Sequence, residues 1–246
     1  AIVMEFCEGG DLLSAVAHPA LDLGTRRRLF AQLVWAVGFL HGRGIIHRDL
    51  KLENVLLDAP VGGACDVNVK LADFGFSKNI LLDSAAMTFS AGTMHFCAPE
   101  AFALSGQTHH ITNFPLTASA AAPSVDVWQL GVLLYALRYQ CYPFGVRDRS
   151  QASMNRVISN IRAVRFQDAA DPPNPHPEPR PEHGECEDLL VRMLKADPRE
   201  RPSLEEVAAH PYVAQAGPLG WPPDLRSPAP APLQTVAEVD AVIKEA

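Results

Sequence analysis

The run "HRDLKLEN", His47 to Asn54, sets three cationic side chains, two carboxylates and an amide within eight residues, and the chain turns apolar directly after it at "VLL". Moving a phosphoryl group asks little covalent help of a protein. It needs a carboxylate beside the attacking hydroxyl, ligands for a metal ion, and a cation where negative charge develops. Asp49, Asn54 and Lys51 are of those types. Three further short runs follow in order, "DFG" at 73–75, "APE" at 98–100 and "DVW" at 126–128, and then Arg201.

These residues need a scaffold, and the hydrophobic pattern outlines one. "AIVMEF" reads as a short strand ended by the paired glycines Gly9 and Gly10. From Thr25 to His41, Leu29, Leu33, Val37 and Leu40 recur at helical spacing, with Phe30, Val34 and Trp35 widening the stripe, which predicts a long buried helix. "NVLLD" and "VNVKLAD", joined by the Pro/Gly loop "APVGGAC", predict a hairpin beside the charged run. "SVDVWQLGVLLYALR" is apolar on nearly every face and predicts a central helix. "SMNRVISNIRAV" and "ECEDLLVRMLKA" predict amphipathic helices, and Ser203 with Glu206 forms a capping box before another. The proline-dense stretches Asp171–Glu185 and Gly217–Pro232 predict extended surface chain. Beyond them "TVAEVDAVIKEA" carries Val236, Val239, Val242 and Ile243 on one face of a short helix.

Composition narrows the setting. Among 246 residues 48% are hydrophobic and 20% charged, enough for a sizeable core in a water-soluble chain. A formal charge of −7 and a pI near 5.7 argue against binding nucleic acid or an anionic membrane surface. Apolar runs such as "LFAQLVWAVGFL" are too short to span a bilayer. The cysteines Cys7, Cys65, Cys97, Cys141 and Cys186 are odd in number and never closely paired, so they read as reduced thiols of a cytoplasmic or nuclear protein. The chain opens at Ala1 inside a strand-like run, so further chain is expected upstream.

"HRDLKLEN" resembles the catalytic loop of protein kinases, and "DFG", "APE", "DVW" and Arg201 resemble the motifs that follow it in that family. The resemblance implies that Asp49 accepts the proton of the substrate hydroxyl and that Lys51 neutralises the transferred phosphate and marks serine/threonine specificity. Asn54 and Asp73 would hold Mg2+ on the phosphates of ATP. Asp126 would brace the backbone of the catalytic loop, and Glu100 would pair with Arg201. "VMEFCEGGDL" is similar to the hinge between kinase lobes: Met4 as gatekeeper, Glu5 and Cys7 offering backbone hydrogen bonds to adenine, Asp11 near the ribose, and Leu56 flooring the adenine pocket.

The implied fold is α+β and protein-kinase-like, mainly the helical large lobe. Residues 1–10 are the last small-lobe strand and hinge. Residues 11–213 are the large lobe, with the catalytic loop at 47–54, an activation segment at 73–100 and an insertion at about 101–123. A Pro-rich linker at 214–234 and a regulatory-type helix at 235–246 complete it. The implied partners are protein substrates bearing Ser or Thr, together with an upstream kinase or phosphatase. Ser84, Thr88 and Ser90 stay open between ordinary loop hydroxyls and regulatory phosphorylation sites, with Arg48 as the cationic partner. His47, Phe74, Cys97 and Cys141 read as packing residues.

"AIVMEFCEGGDL", "HRDLKLENVLLD", "DFGFSKNILLDS", "YPFGVRDRSQASMNRVISNIRAVRF" and "LQTVAEVDAVIKEA" together resemble plant and green-algal stress-responsive kinases related to sucrose-non-fermenting kinase. That narrower resemblance implies a role in osmotic-stress and abscisic-acid signalling. It would make the terminal helix a regulatory element docked on the small lobe; the alternative is a plain terminal helix. Three departures stand out. The family's glycine-rich loop, strand lysine and helix glutamate are not among these residues, so this chain alone is expected to be inactive, with a truncated pseudokinase or scaffold as the alternative to an enzyme. Missing small-lobe partners would also leave Met4, Phe6, Leu56 and Phe74 exposed as an apolar patch. The gap between Glu100 and Asp126 is long for the family, and "GTMHFCAPE" departs from its usual residues at Met94 and Phe96, so substrate docking after Thr93 is expected to differ.

Overall fold

The computed structural model describes residues 4–63, 66–79, 87–88, 91–102, 112–114, 123–145, 151–166, 179, 181 and 184–216. Asp11 accepts the Ser14 N–H at 2.8 Å and so starts the single-turn helix α1, Leu12–Ala15. Asp22 does the same for the long helix α2, Leu23–His41, accepting the Thr25 N–H at 2.6 Å. The predicted stripe lies inward, with Leu29, Phe30, Leu33, Val34 and Val37 buried. Trp35 departs from it: the ring lies on the exposed face and stacks on Phe39 one turn later.

Helix α3, Pro123–Tyr139, is buried continuously from Val125 to Leu137, as an all-round apolar sequence requires. It packs on α2 and on α5, Glu185–Met193. Trp128 stacks on Phe144, and Phe144 and Tyr135 both meet Phe166, so an aromatic run fills one side of α3. Helix α4, Gln151–Ala163, the short α6, Leu204–Ala209, and α7, Pro211–Ala214, complete the helical body. No described helix is long and apolar enough to cross a membrane.

Strands are few and short. β1 (Ile45–Ile46) pairs with β4 (Lys78–Asn79), β2 (Val55–Leu57) with β3 (Val69–Leu71), and β5 (Met87–Thr88) with β6 (Thr112–Phe114), all antiparallel. β2 and β3 form the predicted hairpin, in the register Val55↔Leu71 and Leu57↔Val69.

The strand expected at "AIVMEF" is not formed by its described residues. Met4 and Phe6 are 72% and 88% exposed, and no described strand lies beside them to take their hydrogen bonds. The chain meets the β2 strand only further on, where the Gly9 N–H reaches the Leu57 carbonyl at 3.0 Å and Asp11 bridges Leu56. That approach needs glycine, because a Cβ on Gly9 would stand 2.2 Å from the Ala59 carbonyl oxygen, and Gly10 turns at φ +68°. Of the expected apolar patch, Phe74 is also exposed, while Leu56 is half-buried.

The capping box forms as read: the Ser203 hydroxyl accepts the Glu206 N–H at 3.2 Å and the Glu206 carboxylate accepts the Ser203 N–H at 2.7 Å. Ser203→Ala is expected to cost about 1 kcal/mol of stability, read as a lower urea midpoint at unchanged slope. An unchanged midpoint would mean that α6 is held by Leu204 and Val207 alone. Ser84, Ser90, the Gly217–Pro232 stretch and the terminal helix lie outside the described residues, as do most of the 101–123 insertion and most of Asp171–Glu185.

Candidate active site

The eight-residue charged run is a loop between β1 and β2, and its shape depends on one residue in an unfavourable conformation. Arg48 has φ 71°, a left-handed backbone that side chains with a Cβ rarely adopt. The energy comes from α3. Asp126, fully buried, accepts the Arg48 N–H on Oδ1 at 2.8 Å and the His47 N–H on Oδ2 at 2.9 Å. Gln129, one turn along, accepts the Leu50 N–H at 3.0 Å and donates to the Arg48 carbonyl at 2.9 Å. Two side chains of one rigid helix thus clamp His47, Arg48 and Leu50 through four hydrogen bonds, and the buried hydrogen bonds outweigh the local strain.

The clamp leads directly into the charged cluster. Asp49 is buried, and both Lys51 Nζ (2.6 Å) and Asn54 Nδ2 (3.0 Å) donate to its Oδ2. Asn54 Nδ2 also donates to the Asp49 carbonyl at 2.8 Å, closing the loop on itself. The hairpin then joins "DFG" to this loop: the Ala72 N–H donates to the Asn54 carbonyl at 2.9 Å, and His47 Nε2 lies 3.2 Å from the Ala72 carbonyl. That carbonyl can only accept, so Nε2 carries a proton, and Nδ1 is left to accept the Asp49 N–H at 3.4 Å. His47 therefore ties the two motifs together as well as packing on Phe74, with ring centroids 5.1 Å apart. Asp73 follows in a left-handed conformation, φ 60°, exposed, with Oδ1 accepting the Gly75 N–H.

The donor set suits a hard cation. Asn54 spends its amide nitrogen on Asp49, which leaves Oδ1 as an oxygen ligand, and Asp73 offers an exposed carboxylate. Magnesium is held by one or two such protein oxygens, with phosphate oxygens and water completing its shell. Asn54 and Asp73 fit that requirement.

The hinge candidates lie at the edge of this group. The Glu5 carboxylate pairs with Lys70 on β3 at 3.2 Å, and the Cys7 carbonyl accepts the Gly10 N–H at 3.1 Å. Asp11 uses Oδ1 to cap α1, and Leu56 is half-buried beside it. Met4 stands exposed.

Further along, the Glu100 carboxylate receives a two-pronged bond from Arg201, at 2.7 and 2.6 Å. Arg201 also donates to the carbonyls of Lys195 and Ser124, and its guanidinium lies 5.0 Å from the centre of the Trp128 ring. Cys97 is buried within the influence of both Asp49 and Glu100. Burial and the two nearby carboxylates push its thiol up to about 12, so it stays a neutral packing group. Phe96 is buried and forms a T-shaped pair with Tyr142, and the His95 ring lies flat on Tyr142 at 4.9 Å. Thr93 lies in the turn Ala91–Phe96 and Thr88 in β5.

Gln129 and His41, whose Nε2 lies 2.7 Å from Asp126 Oδ2, escaped the sequence reading. Gln129 had a legible signal, an amide three residues after a carboxylate on an otherwise apolar helix. His41 had none, because a histidine at a helix end has many ordinary uses.

Residues 1–213 match the model of the protein kinase domain. The chain is 33% identical over 215 residues to a carbon catabolite-derepressing protein kinase of Secale cereale, covering 86% of this chain and 35% of that protein. It is 34% identical over 220 residues to serine/threonine-protein kinase ppk16 of Schizosaccharomyces pombe, 88% of this chain and 27% of that protein. It is also 30% identical over 252 residues to serine/threonine-protein kinase SAPK2 of Oryza sativa subsp. japonica, 100% of this chain and 66% of that protein. The chain thus spans only part of the length of each. Among solved structures, the crystal structure of Rad53 kinase domain and SCD2 in complex with AMPPNP superposes with TM-score 0.60 at 25% identity, over 85% of this chain and 67% of that one.

Proposed function

Because this chain belongs to the protein kinase domain family, with serine/threonine kinases among its relatives, we propose that it supplies the catalytic loop of an enzyme that transfers the γ-phosphoryl group of ATP to serine or threonine hydroxyls of proteins. The observation that carries the proposal is the convergence of Lys51 and Asn54 on one oxygen of a buried Asp49, in a loop clamped by α3.

In this reading adenine lies against Leu56 and the backbone of Glu5 and Cys7, with Met4 bounding the slot and Asp11 near the ribose. Asn54 and Asp73 would hold magnesium, which offsets the charge of the nucleotide phosphates when bound. The substrate oxygen bonds to the γ-phosphorus, the bond from that phosphorus to the bridging oxygen breaks, and ADP leaves. Asp49 receives the hydroxyl proton on its carboxylate. Lys51 already stands beside Asp49 and can turn its ammonium toward the transferred phosphoryl oxygens.

Phosphorylation of Thr88, Ser84 or Ser90 by an upstream kinase, with Arg48 as the cationic partner, is the proposed control. The proposed setting is stress signalling in cytoplasm or nucleus, supported by the narrower sequence resemblance. The test is γ-labelled ATP with the full-length protein and matched peptides differing only in Ser, Thr or Tyr at the acceptor. Label should enter the Ser and Thr peptides and disappear when magnesium is chelated. Nucleotide binding with no transfer to any acceptor would replace the enzyme by the scaffold reading.

A further inference from the structure

Trp35 and Phe39, on the outer side of α2, and Arg43 just past its end follow one another at four-residue steps. The indole stacks on the Phe39 ring with centroids 6.1 Å apart and planes 15° apart, and the Arg43 guanidinium lies 3.5 Å from the centre of the Phe39 ring. Trp35 is 37% exposed. Flat aromatic rings held by a rigid helix make a platform on which proline rings can seat. A polyproline II chain is already extended, so it gives up little conformational entropy on docking there.

The path of the chain leads to this platform. α7 is seated on the first half of α2, where Arg27 donates to the Pro211 and Tyr212 carbonyls and to the Gln215 side chain. From Arg27 the helix rises about 12 Å to Trp35 and about 18 Å to Phe39, turning by about 80° and 120° on the way. Beyond Ala216 the sequence continues as "GPLGWPPDLRSPAPAP", with six prolines in sixteen residues, a composition that favours polyproline II. At about 3.1 Å per residue, Pro222 and Pro223 reach about 22–25 Å from Gln215, and Asp224 about 28 Å. The way around the helix lengthens the path beyond the rise, so the two prolines arrive at the rings, and Asp224 comes near Arg43, whose charge it complements.

We propose that Gly217–Pro232 is a strap of this chain docked on the outer side of α2, with Pro222 and Pro223 on the Trp35–Phe39 platform and Asp224 beside Arg43. It runs from α7 toward the end of α2 that leads into β1. The strap does not depend on phosphoryl transfer, and its failure leaves the kinase reading untouched.

Arg226 lies within the strap, and trypsin cuts after it only where the chain is free to enter the protease. The test measures the rate of that cut in the full-length protein, by mass spectrometry, against the same cut in a synthetic peptide of residues 217–232. Wild type should be cut at least about tenfold more slowly than the peptide. Trp35→Ser should bring the protein to within about twofold of the peptide. Pro222→Ser with Pro223→Ser, measured against a peptide carrying the same changes, should do the same. Those two positions lie beyond α7, so protection lost there separates release of the strap from a failure to fold. All three changes together should add nothing further, as expected of groups that act on one another.

Equal rates in wild type and peptide would leave the platform to a partner protein and overturn the proposal. Protection that survives Trp35→Ser would also overturn it, since the segment would then be held elsewhere. Protection that rises with protein concentration would place the segment on a second copy and overturn a strap within one chain.

Discussion

Asp49→Asn in the full-length protein is expected to slow turnover by between about a hundredfold and ten-thousandfold while leaving ATP affinity within about threefold. The substitution preserves the size of the side chain, and its amide oxygen can still accept from Lys51 and Asn54, which both donate to Oδ2. It leaves an NH2 facing the substrate, which cannot take a proton. Asp73→Asn is expected to behave differently, because Asp73 takes no part in that cluster and would contribute a charged ligand to the metal. Its loss should weaken ATP binding in the presence of magnesium as well as stop transfer. Calorimetric ATP titration beside single-turnover kinetics on both variants separates the two roles. Equal loss of ATP affinity in both would show that Asp49 serves binding and would remove it as the proton acceptor.

Arg201→Met is expected to destabilise the fold by about 3–5 kcal/mol, measured by urea unfolding. The Arg201 side chain is wholly buried and the Glu100 carboxylate is 10% exposed, so removing the guanidinium leaves a carboxylate charge with little water to solvate it. The Lys195 and Ser124 carbonyls lose a donor at the same time. Arg201→Lys should recover only part of the loss, since one ammonium cannot make the paired bonds to both Glu100 oxygens and still reach the carbonyls. The double variant Glu100→Leu with Arg201→Met should be more stable than Arg201→Met alone, because no buried charge remains. A single variant within about 0.5 kcal/mol of wild type would mean that the pair contributes geometry without stability.

The chemistry-bearing residues were legible because phosphoryl transfer needs particular side-chain types at particular spacings, and Asp49, Lys51 and Asn54 fall within six residues. The β2–β3 hairpin was legible for a related reason: both strands and their turn lie close in sequence. What escaped depended on distant parts of the chain. Whether "AIVMEF" pairs as a strand is decided by the presence of a neighbour, which no local pattern reports, and its Met4 and Phe6 stand exposed. Trp35 fits the apolar stripe of α2 by spacing, yet the wide face seats it outward against Phe39. Asp11 suggested a ligand contact, and in the fold one of its oxygens caps a helix. Gln129 and His41 gain their meaning only from distant partners, Gln129 from the loop 79 positions away and His41 from Asp126 85 positions away.

The clamp on the catalytic loop also sets an order of assembly. Its four hydrogen bonds join residues 78 to 81 positions apart, from His47, Arg48 and Leu50 to Asp126 and Gln129. At about 5–20 residues per second, a ribosome needs about 4–16 s to add that interval of chain. Until α3 emerges and docks, the nascent chain lacks the Asp126 and Gln129 side chains that bond the loop backbone, and the hairpin that follows can form before that clamp. The candidate site's groups thus reach their places only after α3 has been made, and a chain that stalls before Pro123 would display the charged run without the arrangement that gives it a use.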